Sequence, residues 1–229
     1  MRKVFVISMS LALGLAALLA APAVAAKPFE CTGVISNQTI SGDVTVPPNE
    51  DCYIERATVE GDVKVGRDAD LYVYNNDIDP TRIKGDVRLA EGAYLGALII
   101  YYDSSDMDIV IDGDVRAGAD TRVHLDGFSG PPSLPDLEIK GDVTVDQADS
   151  LDTFAAIVGG HMQAEGVGFL SAHLNDIGGN LKFESGDQVY VRHNTVGGKC
   201  QGQDNVVVDS HSNVVTGKVR GQCNCVSGC

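Results

Sequence analysis

Tryptophan is absent from this chain of 229 residues, and aromatic residues make up only 6% of it. Positive charge is also scarce, because 17 Lys and Arg face 32 Asp and Glu. This deficit disfavours nucleic acid and anionic membranes as partners, since phosphate binding requires an excess of basic side chains. No phosphate-binding loop or nucleotide motif is present, and no helical periodicity follows residue 26. Because of these absences, we expect neither a helical protein nor a nucleotide-binding one.

The first 26 residues have the pattern of a signal peptide. Arg2 and Lys3 supply the positive start, residues 4–19 supply an apolar stretch, and Ala23-Val24-Ala25 supplies a cleavage site. Later in the chain, no segment is long and apolar enough to span a bilayer. We expect a secreted protein, or a periplasmic or cell-surface one, with no integral membrane segment after cleavage.

A glycine recurs nine times and determines the expected architecture. The repeated glycines are Gly42, Gly61, Gly85, Gly113, Gly141, Gly160, Gly179, Gly198 and Gly217. With each glycine as position zero, the residues at −2 and +2 are apolar, and those at +1 and +3 are mostly polar. The spacing of 19 to 28 residues is typical of a stacked solenoid.

The alternation predicts a strand from −2 to +4, with one dry face and with the glycine inside it. A second strand is expected near +10 to +12, where the inward positions hold Leu151, Leu170, Ala172, Val189 and Val191. Equivalent strands of successive coils pair in parallel about 4.8 Å apart, so each coil covers the apolar face of its neighbour. We therefore predict an all-β fold, a right-handed single-stranded parallel β-helix of about nine coils with disulfide-tied ends.

One domain is expected over residues 27–229. Within it we expect an N-terminal cap at 27–55, coils at 56–221 with loop insertions in 66–140, and a cysteine-rich C-terminal end at 222–229. Three spacings exceed 19 residues, so extra loops are expected at 75–80, 98–108 and 128–135. Insertions in solenoids tend to cluster on one face, which is often the binding face.

Three asparagines share one phase of the repeat. Asn175, Asn194 and Asn213 each lie four residues before a repeated glycine. Their common phase predicts an asparagine ladder along one corner of the rod. The alternative is three unrelated asparagines in surface turns.

All six cysteines follow residue 26, and their even number fits disulfides in an oxidising compartment. Cys31 and Cys52 bracket the first coil and are expected to pair. The other four crowd the C-terminal end at Cys200, Cys223, Cys225 and Cys229. We favour pairing of the first two and of the last two, among three connectivities. A zinc site in the Cys-x-Cys-x-x-x-Cys segment is the alternative.

Carboxylates occupy position +1 in the first five repeats, at Asp43, Asp62, Asp86, Asp114 and Asp142. This column indicates either a solvated charge ladder, partly paired with basic residues at +3, or a calcium-binding stripe. The acid-rich loops are better calcium candidates, since a regular strand does not wrap an ion. The candidate calcium ligands are Asp77, Asp79, Asp103, Asp106 and Asp108. No other cofactor is expected.

Tyrosines collect around the same insertions. The candidate binding residues are Tyr72, Tyr74, Tyr94, Tyr101 and Tyr102. Tyrosine offers the flat apolar face and polar tip that contacts with sugars or proteins require. The alternative is ordinary sheet packing, because tyrosine also has a high strand propensity.

Signals of catalysis are weak. The five histidines lie in different coils, and Asp209-Ser210-His211 is not expected to act as a triad because alternate strand residues point in opposite directions. Side chains of the types used by polysaccharide-cleaving β-helices occur at Asp86, Arg88, Asp114 and Arg116. A polysaccharide lyase or hydrolase is therefore an alternative function.

The last repeats resemble a group of uncharacterised secreted bacterial β-helix proteins, whose coils read Val-x-Gly-Asn-Val or Val-Gly-Gly-Asn-Leu. The likeness is carried by Val196-Gly197-Gly198-Lys199-Cys200-Gln201-Gly202, by Asn213-Val214-Val215-Thr216-Gly217-Lys218-Val219-Arg220-Gly221-Gln222-Cys223, and by Cys31-Thr32-Gly33 with Cys52. Ile177-Gly178-Gly179-Asn180-Leu181 keeps the usual asparagine, which Asp142 and its equivalents replace. The resemblance implies export and a β-helix and implies no activity. A weaker likeness is to bactofilins, cytosolic β-helices that polymerise end to end; the signal peptide and disulfides argue against it.

We expect a secreted, non-enzymatic β-solenoid that acts as a surface, matrix or adhesion component and binds an extracellular glycan or a surface protein. The enzyme is the first alternative to this function, and the second is a fibre subunit that self-associates end to end. Residues 27–150 carry 25 acidic and 10 basic residues, against 7 and 5 in residues 151–229. Cations, basic proteins and neutral glycans are therefore the expected ligands.

Overall fold

A computed structural model describes residues 27–75, 79–99, 109–127 and 137–223, and every regular element within these ranges is a β-strand. The strands form three parallel sheets of ten, nine and nine strands, here called A, B and C. Each coil adds one strand to each sheet in turn, and each strand pairs with its equivalents one coil away. The predicted parallel β-helix is thus confirmed, and right-handed winding stays a prediction from the rule for parallel crossovers. Within the described ranges, no helix exists that is long and apolar enough to cross a membrane.

The strands are short and follow one another in the order A, B, C. Sheet A consists of β1 (Phe29–Glu30), β4 (Val44–Val46), β7 (Val63–Val65), β10 (Val87–Leu89), β13 (Val115–Ala117), β16 (Val143–Asp146), β19 (Met162–Glu165), β22 (Leu181–Glu184), β25 (Cys200–Gln203) and β28 (Val219–Gly221). Sheet B consists of β2 (Gly33–Ser36), β5 (Asp51–Glu55), β8 (Asp70–Asn75), β11 (Tyr94–Ile99), β14 (Arg122–Asp126), β17 (Ser150–Phe154), β20 (Phe169–His173), β23 (Gln188–Arg192) and β26 (Val207–His211). Sheet C consists of β3 (Thr39–Ile40), β6 (Thr58–Val59), β9 (Thr81–Ile83), β12 (Ile109–Ile111), β15 (Leu137–Ile139), β18 (Ala156–Val158), β21 (Asp176–Ile177), β24 (Thr195–Val196) and β27 (Val214–Val215). The segment 27–55 therefore contributes the first strands of all three sheets.

The core is a set of aliphatic columns inside the three sheets. Position +2 is at most 1% exposed from the first repeat to the eighth, at Val44, Val63, Val87, Val115, Val143, Met162, Leu181 and Cys200. The inward positions predicted on the second strand are buried as well. Full burial of each such aliphatic side chain contributes about 1.5–3 kcal/mol. Stacking therefore supplies the apolar burial that a single coil cannot.

The prediction of one strand running through each glycine is wrong. In the second repeat, β6 ends at Val59 and β7 begins at Val63, so Gly61 lies at the corner between sheets C and A. A Cβ atom on Gly61 would lie 2.5 Å from the carbonyl carbon of Gly42 in the previous coil. The apolar residues on either side of the corner are four positions apart, an even spacing, which is why the pattern reads as one continuous strand.

A hydrogen-bonded ladder of +1 side chains follows this corner. The Oδ1 atom of Asp43 accepts the backbone N–H of Asp62 at 3.0 Å, and the same contact repeats through Asp114, which accepts from Asp142 at 2.8 Å. Beyond the aspartates, His161 Nδ1 and Asn180 Oδ1 continue as acceptors. The ladder ends at Lys199, because a lysine side chain has no acceptor.

Basic side chains bind the second oxygen of these aspartates. Lys64 lies 2.9 Å from Asp43 Oδ2, and Arg88 bridges Asp62 and Asp86 at 3.1 and 2.6 Å. The Lys64 contact lowers the pKa of Asp43, and the Asp114 backbone N–H lowers that of Asp86. Of the two readings of the acidic column, the partly paired charge ladder is the one that these contacts match, with backbone hydrogen bonds added.

The asparagine ladder at the corner between sheets B and C is confirmed. Asn194 Oδ1 accepts the backbone N–H of Asn175 at 2.9 Å, and Asn213 Oδ1 accepts that of Asn194 at 3.0 Å. The Asn194 Nδ2 group donates to the Ala172 carbonyl at 2.8 Å. All three asparagines are at most 1% exposed. The ladder thus satisfies backbone groups that would otherwise be buried without partners.

The three long connections leave the rod at the corner where the asparagine ladder runs. They join β8 to β9, β11 to β12 and β14 to β15, each from sheet B to sheet C. Most of their residues lie outside the described ranges. The expectation that the insertions share one side of the solenoid is met at the level of topology.

Disulfides close both ends of the described rod. Cys31 pairs with Cys52, with 5.5 Å between Cα atoms, and Cys200 pairs with Cys223 at 5.9 Å. Both predicted pairs are confirmed, while Cys225 and Cys229 lie outside the described residues. Such bonds are typical of an oxidising environment.

Replacement of Asn194 tests the asparagine ladder. Asn194→Ala removes an acceptor for Asn175 and a donor for Ala172, so the free energy of unfolding should fall by about 2–4 kcal/mol. Urea unfolding followed by circular dichroism measures the change. The control is Gln163→Ala on the outer face of sheet A, which should stay within about 0.5 kcal/mol of the parent. Equal effects of the two variants would contradict a structural ladder.

Removal of either disulfide tests the closure of the ends. The bonds span 21 and 23 residues, and loops of this length correspond to about 3 kcal/mol of stabilisation. We expect the Cys31→Ser, Cys52→Ser double variant to lose about that much unfolding free energy. Parallel unfolding curves with and without reductant supply the comparison, and identical curves would refute the expectation.

Candidate binding surface

The outer face of sheet B carries three columns of outward side chains. Because the strands pair in register, one outward residue of each coil lies beside its equivalents in the neighbouring coils. Every tyrosine among the described residues lies in these columns, at Tyr53, Tyr72, Tyr74, Tyr94 and Tyr190. With Phe154 and Phe169 they form a surface that we call the aromatic strip.

Four tyrosines of the aromatic strip pack against one another. The rings of Tyr53 and Tyr72 stack with centroids 4.9 Å apart and planes 8° apart. Tyr74 meets Tyr53 edge-on at 6.4 Å, and Tyr94 meets Tyr72 at 5.3 Å. The guanidinium of Arg122 lies 5.5 Å from the centre of the Tyr94 ring. The structure therefore brings together three of the tyrosines expected from the sequence.

Tyr53 belongs to this cluster and was missed by the sequence analysis. It lies 19 residues before Tyr72, the basic period of the repeat, so the period itself is the signal that identifies it. Tyr101 and Tyr102 lie outside the described residues, and their place in a binding surface stays a prediction.

A groove of about 310 Å³ opens among these rings. It is lined by Tyr53, Tyr72, Val73, Tyr74, Gly96 and Leu98, and we call it the tyrosine groove. Gly96 occupies the column position next to Tyr72, and a Cβ atom there would lie 2.7 Å from the Tyr94 hydroxyl. The absence of a side chain at Gly96 lets the Tyr94 ring lie over the sheet.

The hydroxyl groups of Tyr72, Tyr74 and Tyr94 have raised pKa values. Burial, reinforced by Asp70, raises the pKa of Tyr72 to about 12, and the Tyr72 hydroxyl donates to Asp70 Oδ2 at 3.1 Å. Burial also raises the pKa of Tyr74 and of Tyr94. The groove therefore offers apolar ring faces and neutral hydroxyl groups, which suit an uncharged, hydroxylated ligand.

Two further grooves continue the surface along the rod. The central groove, about 420 Å³, shares Leu98 with the tyrosine groove and contains Arg122, His124 and Asp152. The last groove, about 300 Å³, shares Phe169 with the central groove and is lined by Phe169, Ser171, His173, Tyr190 and Arg192. We call it the arginine groove. The shared residues connect the three grooves along the outer face of sheet B.

Ion pairs lie on the outer faces of the other two sheets and at the corner between them. On sheet C, Asp112 binds Arg82 at 2.7 Å and Lys140 at 2.8 Å, and Arg82 lowers the pKa of Asp112. On sheet A, Arg116 binds Asp114 at 2.6 Å beside the aspartate ladder. The proposed catalytic side chains Asp86, Arg88, Asp114 and Arg116 are thus engaged with one another and with backbone N–H groups. This arrangement favours a structural role for them.

Among the described residues, no group of three or more His, Cys, Asp and Glu side chains is placed to hold a metal ion. Asp79 lies on the surface at the start of the segment before β9. Asp77, Asp103, Asp106 and Asp108 lie outside the described ranges, so the calcium assignment stays a prediction.

The histidines of the last coils form a column that the sequence analysis did not anticipate. The ring of His193 lies 5.4 Å from that of His173 and 5.5 Å from that of His211. His193 has a left-handed backbone (φ 54°) at the corner after β23, which places it between two histidines of another phase. Asp209 and His211 share the outer face, whereas Ser210 lies beside Asn213 of the buried ladder. As expected, these residues do not form a triad.

Comparisons of the chain with protein-family models, with curated proteins and with solved structures return no match.

The His124–Asp152 pair in the central groove makes stability depend on pH. Their contact at 3.2 Å raises the pKa of His124 and lowers that of Asp152. The histidine contribution is present below about pH 6.5 and is lost as pH rises through the raised pKa; the aspartate contribution is present above about pH 4 and is lost as pH falls through the lowered pKa. The pair therefore stabilises most between these limits.

His124→Gln should lower the unfolding free energy by up to about 1 kcal/mol near pH 5.5. At pH 9 the difference from the parent should be smaller, because the histidine is then uncharged. Urea unfolding at the two pH values gives both differences. An equal loss at both would show that the effect of the variant does not come from the ion pair.

Proposed function

We propose that the chain is an exported, non-enzymatic β-solenoid that binds neutral glycans along the aromatic strip of sheet B. The observation that carries the proposal is the contacting group of Tyr53, Tyr72, Tyr74 and Tyr94, the first three of which line an apolar groove. Sugar rings present apolar C–H faces and hydroxyl groups, which match tyrosine rings and neutral phenol groups.

The scaffold supports this role because it holds the rings on strands and not on loops. The contacting tyrosines project from β5, β8 and β11, whose backbones are hydrogen-bonded to both neighbouring coils. A rigid surface loses little conformational entropy when it binds an extended polymer. Grooves that follow one another along the rod also suit a linear chain of repeating units.

Charge separates the expected ligand classes. Residues 27–150 carry 25 acidic and 10 basic residues, so the region of the tyrosine groove repels polyanions. The two disulfides fit export, and the apolar stretch before residue 26 supplies the expected signal. A neutral extracellular polysaccharide satisfies all of these conditions.

Binding to a panel of immobilised neutral glycans, followed by titration calorimetry, tests the proposal. Tyr72→Ala removes the central ring of the stack, so the affinity should fall about tenfold, which corresponds to about 1.4 kcal/mol. Phe29→Ala is the matched control, because Phe29 is an exposed aromatic residue on sheet A outside the aromatic strip. It should leave the affinity unchanged.

Three results would contradict the proposal. They are the absence of binding to every neutral glycan, an equal loss in both variants, and release of reducing or unsaturated sugars from a polysaccharide. The last result, if abolished by Arg88→Ala and Arg116→Ala, would favour the enzyme. Capture of a surface protein through the same tyrosines would instead assign the surface to protein recognition.

A further inference from the structure

The chemistry of the outer face of sheet B changes along the rod. Its first coils present Asp51, Glu55 and Asp70, whereas its last coils present Arg192 with His173 and His211. Residues 151–229 carry only 7 acidic residues against 5 basic ones, and 4 of the 5 histidines of the chain lie there. Although Asp209 also lies on this face, an anion therefore meets a weaker barrier at the last coils than at the first ones.

The arginine groove combines an aromatic wall with a cation. The rings of Phe169 and Tyr190 lie 5.7 Å apart, and the Arg192 guanidinium carbon lies 5.2 Å from the centre of the Tyr190 ring. Ser171 and His173 complete the lining with neutral polar groups. The volume of about 300 Å³ is at the lower end of the range of ligand sites, which suits a single small unit of a larger molecule.

Arg192 keeps donors that the described residues do not use. Its Nη2 group forms an ion pair with Asp209 Oδ2, while its buried Nε–H has no hydrogen-bond partner among the described residues. The side chain is 36% exposed although Nε itself is buried, so a ligand reaches the terminal Nη groups of the guanidinium. A guanidinium binds a carboxylate through two parallel N–H groups, which makes a carboxylate the matching ligand group.

Asp209 is shared between Arg192 and a histidine. Its Oδ1 atom lies 2.6 Å from His211 Nδ1, and this contact, more than that with Arg192, lowers the pKa of Asp209. Asp209 therefore divides its two oxygens between His211 and Arg192, which leaves the charge of Arg192 only partly compensated.

The groups packed around His173 favour its uncharged form. Burial, followed by the charges of His193, Arg192 and His211, lowers the pKa of His173, so this histidine is neutral at physiological pH. On the preceding strand, Asp152 is held by His124 in the central groove, and on the following strand Tyr190 remains beside Arg192.

We propose that the arginine groove is an acidic-sugar subsite, in which Arg192 binds the carboxylate of a uronic-acid unit while Phe169 and Tyr190 contact its ring. The inference rests on the proposed glycan-binding function and extends it to a mixed glycan, neutral where it meets the tyrosine groove and acidic where it meets the arginine groove.

Calorimetric titration with a uronic-acid oligosaccharide and with its uncharged methyl ester tests the subsite. The two probes share their rings and differ only in the carboxylate. The acidic form should bind the parent protein at least about tenfold more tightly at pH 6 and low salt, because hydrogen bonds to charged groups are strong. The preference should decrease in about 1 M salt, where charges are screened beyond about 3 Å.

Two variants assign this preference to the groove. Arg192→Gln should abolish the discrimination between acid and ester while leaving the binding of a neutral glycan at the tyrosine groove unchanged. Tyr72→Ala should do the reverse. The comparison of acid with ester on the parent protein needs no variant, so it stands even if Arg192→Gln impairs folding.

The outcomes separate the two proposals. If a neutral glycan binds through Tyr72 but acid and ester bind equally, or the ester binds better, the subsite is refuted and the glycan-binding function stands. A preference for the acid that persists in Arg192→Gln likewise refutes the assignment to Arg192. If neither probe nor any neutral glycan binds, both proposals fail.

Discussion

In-register stacking of one coil on the next is the constraint on which the rest of this structure depends. Each strand completes its hydrogen bonds only with its equivalents in the neighbouring coils. Each residue must therefore tolerate the equivalent residue of the next coil about 4.8 Å away. Inside the rod this favours aliphatic columns. At the corners it requires groups that hydrogen-bond from coil to coil, which Asp43 and its equivalents provide on one corner and Asn194 with its neighbours on another.

The same constraint turns local composition into continuous surfaces. Acidic side chains at one phase would repel one another, and the structure relieves this by giving one oxygen to a backbone N–H and the other to Lys64 or Arg88. Sheet A thus carries several internal ion pairs, and sheet C carries those of Asp112 with Arg82 and Lys140. Sheet B differs because its outward columns hold rings, which stack favourably at the spacing of the coils, as Tyr53 and Tyr72 do at 4.9 Å. The contrast among faces is the basis for placing the binding function on sheet B.

The proposed binding face is graded along the axis. Its acidic beginning, its neutral tyrosine groove and its arginine- and histidine-bearing end follow the uneven distribution of charge in the sequence. The long connections leave from the corner beside this same sheet, after β8, β11 and β14. A solenoid can change one coil without disturbing the others, because each coil contacts only its neighbours. Different ligand chemistries can therefore occupy successive grooves of one continuous surface.

The sequence by itself determined the parallel β-helix and its buried columns, because residue spacing directly records the period of stacking. It favoured the asparagine ladder and both described disulfides over the alternatives, and the structure decided between them. The sequence also identified Tyr72, Tyr74 and Tyr94, and the 19-residue offset would have added Tyr53. Only the tertiary structure decided that the chain bends at Gly61, that Asp43 accepts a backbone N–H, and that His193 lies between His173 and His211. These contacts depend on how the chain turns at each corner. A corner brings together residues from different positions of the repeat, and the spacing of the repeat does not predict such contacts.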